Sequence, residues 1–319
     1  MNIVSTSSNA GAVPAAPNIA PGSARAWIMA LRLRSLLIAI SPVLVAAALV
    51  WARTGRLEIG MVLLILAASV MLQVVTNLQN DVGYTLRGGD RSRTRIGLPR
   101  ATALGLLSTA QVRVAIGLAI VAAIAFGLPL VAVRGEPVLL MGIASIVAAL
   151  AYMGGPRPIA YTPFGELVVF VFFGLLAVGG ADYTLTGSPV TPVTALAAVA
   201  MGALAAAALV VNNHRDIAHD ESVGRRTLPV VLGPGISRGF YACAMLLPFA
   251  LAPVMAWLAA SPWFLLPLLW LPVALRLVRD FLNCPPGLPF NAVLFRTFKL
   301  ELAYAALLSA GAILSRMLA

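Results

Sequence analysis

Residues 192–220 read P-V-T-A-L-A-A-V-A-M-G-A-L-A-A-A-A-L-V-V-N-N-H-R-D-I-A-H-D. Up to position 211 only Thr194 carries a polar side chain; the chemistry then turns abruptly to amides, carboxylates, histidine and arginine. A helix needs about 20 apolar residues to cross the hydrocarbon core of a bilayer. The run is continuous and rich in Ala and Leu rather than alternating, which favours a helix over a barrel strand. The segment therefore reads as a membrane span ending in side chains that are costly at membrane depth, and such residues mark functional sites.

Outward from it, the same pattern recurs. Roughly nine apolar runs are predicted as spans, at about 27–50, 60–80, 111–132, 137–153, 164–181, 192–212, 238–258, 262–279 and 298–317. The chain is 61% hydrophobic and 10% charged, with mean hydropathy +0.96, more apolar surface than a soluble 319-residue protein can hide. The expected class is an all-α polytopic membrane protein. Residues 1–24 carry no charge and read as a disordered tail, leaving 25–319 as one membrane domain. The first span is too long for a signal-peptide core and is expected to stay as an anchor. Cys243 and Cys284 form neither a disulfide framework nor a metal-binding pattern.

The net charge of +11 invites a nucleic-acid reading, but its placement argues against one. With nine spans, every Lys and Arg except Arg53, Arg56, Arg134 and Arg316 falls on one set of flanks. The positive-inside rule makes that side cytoplasmic, with the amino terminus inside and the carboxyl terminus outside. Eight of the eleven acidic residues fall on the same side; Glu58, Glu136 and Asp182 do not.

Two polar segments there repeat one idea, Asn77-x-x-Asn80-Asp81 and Asn212-Asn213-x-Arg215-Asp216-x-x-x-Asp220. If the second span stays helical through Asp81, Asn77 and Asp81 share a face, with Asn80 and Tyr84 beside them. Gly88 and Gly89 then open a loop holding Asp90 and Arg87, Arg91, Arg93, Arg95 and Arg100. In the later segment Asn212, Asp216 and Asp220 are spaced i, i+4, i+8, followed by Gly224, Arg225, Arg226 and Thr227. Two such helix ends facing each other offer oxygen ligands for one or two Mg²⁺ ions bridging to a diphosphate, with arginines neutralising the rest. Neither segment is a Gly-rich phosphate loop, and no Walker lysine is present. His214 and His219 do not share a helical face and read as solvated loop residues. Glu166 reads equally as a charge complementing a helix dipole or as a site residue.

These stretches resemble the UbiA superfamily of intramembrane aromatic prenyltransferases, and within it the 1,4-dihydroxy-2-naphthoate prenyltransferase branch of menaquinone synthesis. N-L-Q-N-D…R-G-G-D-R…R-I-G-L-P-R resembles that branch's first Asp-rich motif, and N-N-H-R-D-I-A-H-D-E-S-V-G-R-R-T-L-P its second. The resemblance implies nine helices around a laterally opening cavity in the inner membrane, with its active site toward the cytoplasm. It implies Mg²⁺-dependent transfer from a polyprenyl diphosphate to an aromatic acceptor, with loss of the acceptor's carboxylate as CO₂. Carried over, Asp81, Asp216 and Asp220 are the expected catalytic carboxylates. Asn77, Asn80, Asp81, Asp216 and Asp220 are the expected metal ligands, supported by Asn212. Arg87, Arg157, Arg215 and Arg225 are the expected diphosphate partners. One position departs: Tyr84 stands where the family has a second Asp, and a neutral phenol is a poorer Mg²⁺ ligand. Three other readings remain open: another phenolic acceptor such as 4-hydroxybenzoate or homogentisate, a terpene cyclase of the same fold, and a non-catalytic isoprenoid-binding relative. A secondary transporter is disfavoured, because the polar groups sit at one membrane face rather than the midplane.

Overall fold

The computed structural model describes residues 19–89, 97 and 100–318. Most of the proposed tail, together with Asp90, Arg91, Arg93 and Arg95, lies outside the described residues. All regular structure among the described residues is helical: α1 Ala24–Leu31, α2 Leu33–Thr54, α3 Ile59–Leu86, α4 Thr109–Arg134 and α5 Glu136–Met153 form the first half. A short 3₁₀ turn at Ile159–Tyr161 leads into a rod made of α6 (Gly165–Phe170), a π-helical stretch (Val171–Gly180) and α7 (Ala181–Thr186). Then come α8 (Pro192–Arg215), α9 (Ile217–Ser222), α10 (Leu228–Leu258), a 3₁₀ stretch (Pro262–Trp270), α11 (Leu271–Asn283) and α12 (Pro289–Met317).

Eight helices, with the α6–α7 rod counted as one, are long and apolar enough to cross a membrane. The expected span at 262–279 is the exception to the single-helix pattern. Pro262, Pro267 and Pro272 recur every five residues there, and each removes a backbone donor from the α-ladder. The chain accordingly runs as a 3₁₀ stretch before α11 begins.

The expected first span is also broken. Arg32 adopts φ 51°, ψ 54° between α1 and α2, a left-handed conformation unusual for a non-glycine residue. α10 bends where Gly233 adopts φ 83° just before Pro234.

Alanine-rich α8 occupies the middle of the bundle and is the most buried of the spanning helices. Its small side chains allow backbones to approach closely. A Cβ on Gly202 would stand 2.6 Å from the Phe170 carbonyl, and one on Gly174 2.4 Å from the Ala198 carbonyl, so paired glycines set this crossing. At the periphery, α4 and α5 bury the least and turn Leu118, Val121, Leu140 and Val147 outward. In water these would form a large exposed apolar face; in lipid they are solvated.

Candidate active site

A cavity of about 1040 Å³ lies between α2, α3, α4, α5, the α6–α7 rod, α8 and α12. One end is polar and carries both motifs; the rest is walled by aliphatic side chains and by Phe172, Phe173, Phe295 and Phe298.

At the first motif α3 does continue through Asp81 and ends only at Leu86. Asn77 and Asn80 line the cavity. Asn77 Nδ2 donates to the Leu31 carbonyl and to Ser35 Oγ, both at 2.8 Å, while its Oδ1 accepts from Gln73 Nε2 at 3.1 Å. Asn77 therefore stitches the α1–α2 break onto α3. Asp81 is buried behind the cavity wall. Its Oδ2 accepts from the Ala101 amide at 3.0 Å, and its Oδ1 from the Thr102 amide at 2.9 Å and Thr102 Oγ1 at 2.6 Å. A carboxylate engaged by three donors on one loop folds that loop, whatever else it does. Arg100, held against the Asn80 carbonyl, is thereby brought over the Tyr84 ring, with its guanidinium 4.2 Å from the centroid.

At the second motif the expected i, i+4, i+8 stripe is bent. α8 ends at Arg215, Asp216 leaves the helix (φ −99°, ψ 12°), and α9 restarts at Ile217. Asn212 and Asp216 consequently line the cavity, whereas Asp220 is buried away from it. Arg215 grips Asp216 in a two-pronged pair, Nε to Oδ1 at 2.9 Å and Nη2 to Oδ2 at 2.6 Å. The same guanidinium donates to Asn212 Oδ1 at 2.8 Å and Asn291 Oδ1 at 2.6 Å, tying α8 to α12. Asp220 pairs with Arg225 at 2.6 Å, and Arg225 reaches the Ala160 carbonyl at 3.1 Å while lining the cavity.

The two motifs touch through Tyr84, whose hydroxyl is hydrogen-bonded to His219 Nε2. This corrects the expectation for the histidines, both of which are buried. His219 meets the first motif, and His214 packs on Phe281 and Phe290 with Nδ1 2.7 Å from Ser237 Oγ. Glu166 is buried as well and accepts from Asn213 Nδ2 at 2.8 Å, so it buttresses the second motif rather than meeting solvent. Arg87 is exposed; it donates to the Gly155 carbonyl and lies 5.4 Å from the Tyr161 ring. Burial pushes the Tyr161 phenol above its ordinary value, against the pull of Arg225, Arg87 and Arg100, so a neutral ring sits under Arg87 and Arg225. Arg157 is exposed on the turn after α5 and does not line the cavity.

Seven of the expected site residues thus line the cavity: Asn77, Asn80, Tyr84, Asn212, Arg215, Asp216 and Arg225. Asp81, Asp220, Arg87 and Arg157 do not. The structure adds Arg32, Arg34, Arg100, Asn213 and Asn291 to the polar end. The charges of the three arginines had read as membrane orientation, and nothing in their spacing distinguished them from it. Among the described lining residues five arginines face one acid, Asp216, a balance suited to a polyanion.

The donor set at this end is hard oxygen. No group of three or more His, Cys, Asp or Glu side chains is close enough to cage a metal among the described residues. Asp216, however, stands beside Asn212 and Asn213, and Asn213 Oδ1 is buried with no hydrogen-bond partner. Mg²⁺ commonly takes one or two carboxylates and completes its shell with water and phosphate oxygens, so these residues fit it.

Residues 39–296 match the UbiA prenyltransferase family. The chain belongs to that family. It is an all-helical membrane enzyme of the prenyltransferase class. It is 36% identical over 228 residues to the 1,4-dihydroxy-2-naphthoate octaprenyltransferase of Escherichia coli (strain K12), covering 70% of this chain and 73% of that protein. Against the Mycobacterium tuberculosis protein of the same name it is 36% identical over 265 residues, covering 78% and 84%. The structure of a UbiA homolog from Archaeoglobus fulgidus bound to GPP and Mg²⁺ superposes with a TM-score of 0.62 at 17% identity, covering 89% of this chain and 99% of that one, a likeness of fold.

Proposed function

We propose that this UbiA-family enzyme transfers a polyprenyl group from a polyprenyl diphosphate to 1,4-dihydroxy-2-naphthoate, using Mg²⁺ at a site facing the cytoplasm. One observation carries the reading: a single cavity joins an arginine- and amide-rich end to a long apolar shaft, the shape and polarity of an isoprenoid with an anionic head. The relatives' name supports the acceptor. The GPP and Mg²⁺ of the Archaeoglobus structure support the donor and the metal. The arginine-rich flanks favour the inner membrane, with the polar end at its cytoplasmic face.

Asp216, Asn212 and Asn213 would hold the metal, which when bound supplies positive charge to the departing diphosphate. Arg215 fixes the Asp216 carboxylate through its two-pronged grip and leaves it no freedom to turn away. Arg32, Arg34, Arg100 and Arg225 add fixed positive charge around the head group, where a water-poor site strengthens each contact. As the donor's C–O bond breaks, its electron pair leaves with diphosphate. Phe172, Phe173, Phe295 and Phe298 keep water from the allylic carbon and offer ring faces to its positive charge. The acceptor's carboxylated ring carbon forms the new C–C bond, and loss of CO₂ restores aromaticity without a protein base.

The test is direct. Purified protein in lipid nanodiscs receives labelled prenyl diphosphate, 1,4-dihydroxy-2-naphthoate and either Mg²⁺ or EDTA, with products read by mass spectrometry. Prenylated quinol and CO₂ appearing only with Mg²⁺ is the expected result; product from 4-hydroxybenzoate or homogentisate instead would reassign the acceptor. A second reading is favoured by Asp81 and Asp220, whose carboxylates are engaged by protein donors. In that reading the chain binds isoprenoid without transferring it, and tight donor binding with no diphosphate release would select it.

A further inference from the structure

The apolar shaft has a floor, and short of it two of its wall residues meet. Ile65 and Asn80 both line the cavity from α3, and fifteen positions at 1.5 Å per residue make it about 22 Å from polar end to floor. Its far end reaches Leu130, Val138, Ala181 and Thr184. There Arg134 donates to the Thr184 and Leu185 carbonyls, each at 2.7 Å, and buried Asp182 accepts from Arg53 at 3.1 Å and Thr194 at 2.9 Å. These satisfied polar groups seal the end against a hydrocarbon chain, which would have to break them to pass.

That meeting point lies one turn short of Thr184. Val171–Gly180 is π-helical, a geometry that is rare and gathers at functional sites. It supplies Phe172, Phe173, Leu176, Ala177 and Gly180 to the wall. Its last residue, Gly180, faces α5: a Cβ there would lie 2.9 Å from Met141 Sδ, and both residues line the shaft. A side chain at 180 therefore either stands in the cavity or displaces the Met141 thioether. The stretch cannot withdraw toward α8, because a Cβ on Gly174 would already stand 2.6 Å from the Gly202 Cα.

We infer that the Gly180–Met141 narrowing sets how deep a prenyl tail seats, and so the donor length at which affinity stops rising. The inference rests on the prenyl-diphosphate reading above. Short tails end before the narrowing and do not feel it; longer tails gain burial only by passing it.

Binding without acceptor tests this separately from transfer. Affinities of inorganic diphosphate, geranyl, farnesyl and geranylgeranyl diphosphate are measured for the full chain in nanodiscs with Mg²⁺. Wild type should tighten with each added isoprene until the tail reaches the narrowing, and gain less beyond it. Gly180→Leu should bind geranyl diphosphate within about twofold of wild type and lose at least about tenfold of its preference for geranylgeranyl diphosphate, since each buried methylene counts several-fold. Gly179→Ala, whose new Cβ would lie no closer than 3.7 Å to Val190 Cγ2, should change nothing. Met141→Ala should move the preference toward longer tails, which keeps the idea testable if the leucine variant does not fold. An unchanged length preference in both Gly180→Leu and Met141→Ala overturns the inference, as does an equal loss for all four ligands. The functional reading fails by a different result, wild-type protein that makes no product when acceptor is added.

Discussion

The two Asn/Asp segments look like copies in sequence and do different work in space. The first carries its carboxylate, Asp81, turned into the loop at Ala101 and Thr102. The second carries Asp216 at the cavity, clamped by Arg215. The difference comes from the backbone. α3 stays helical through its motif to Leu86; Asn77, Asn80 and Tyr84 line the cavity, while Asp81, at the edge of that stripe, turns to the loop. α8 breaks at Asp216, which swings that carboxylate to the cavity and sends Asp220 back to Arg225. One motif organises the loop over the site, and the other supplies the acid inside it.

The sharpest way to break this contrast is to remove one carboxylate from each side. Asp216→Asn should lower kcat/KM by about a thousandfold, as expected when a principal electrostatic contact is lost, while the thermal unfolding midpoint in detergent falls only modestly. The amide keeps one acceptor for Arg215, which also retains Asn212 and Asn291, so the guanidinium is not left bare. Asp81→Ala should show the opposite balance. It leaves two amides and a hydroxyl without their acceptor, a cost of roughly 2–3 kcal/mol, so the unfolding midpoint should drop clearly, with activity falling through a disordered loop. If Asp81→Ala were inactive yet as stable as wild type, Asp81 would belong with Asp216 at the chemistry.

Tyr84 is where the motifs meet, and it tests the contrast more gently. Tyr84→Phe removes the hydroxyl that bonds His219 and keeps the ring under Arg100. One such bond contributes about 1 kcal/mol, so a roughly fivefold loss in kcat/KM is expected. Tyr84→Asp instead places a carboxylate beside Arg100 and Arg225. If the first motif lacks only an acid to join the metal site, that variant should lower the Mg²⁺ concentration needed for half-maximal activity; an unchanged Mg²⁺ requirement would assign the first motif to loop organisation alone.

The spans were legible because apolar periodicity survives any packing detail, and α8 could be read to within a turn from its alanine run. What could not be read was where helices break. Nothing in the residues around Arg32 signals a left-handed turn, and a proline series at 262, 267 and 272 did not by itself say 3₁₀ rather than kinked α. The same ambiguity hid the site's finer order. An i, i+4, i+8 stripe predicts one face only if the helix continues, so the break at Asp216 separated Asp220 from its expected neighbours. His214 and His219 were misjudged for a related reason: charge-rich surroundings suggest solvent, but the partners that bury them come from α3, α10, α11 and α12, far away in sequence.

The smallest effect separates cations that line the cavity from cations that merely share its side of the membrane. Arg225 lines the cavity, holds Asp220 and lies 5.7 Å from the Tyr84 ring. Arg157 is exposed and lines nothing. Both read alike in sequence, as positive charge following a span. The charge of an exposed arginine that does not line the cavity is screened by salt, so Arg157→Ala should change kcat/KM by less than about twofold, and that small change should vanish at high salt. Arg225→Ala should act at any ionic strength, because its contacts are buried and salt does not screen them. A large, salt-resistant loss in Arg157→Ala would mean that the turn after α5 closes onto the head group during turnover.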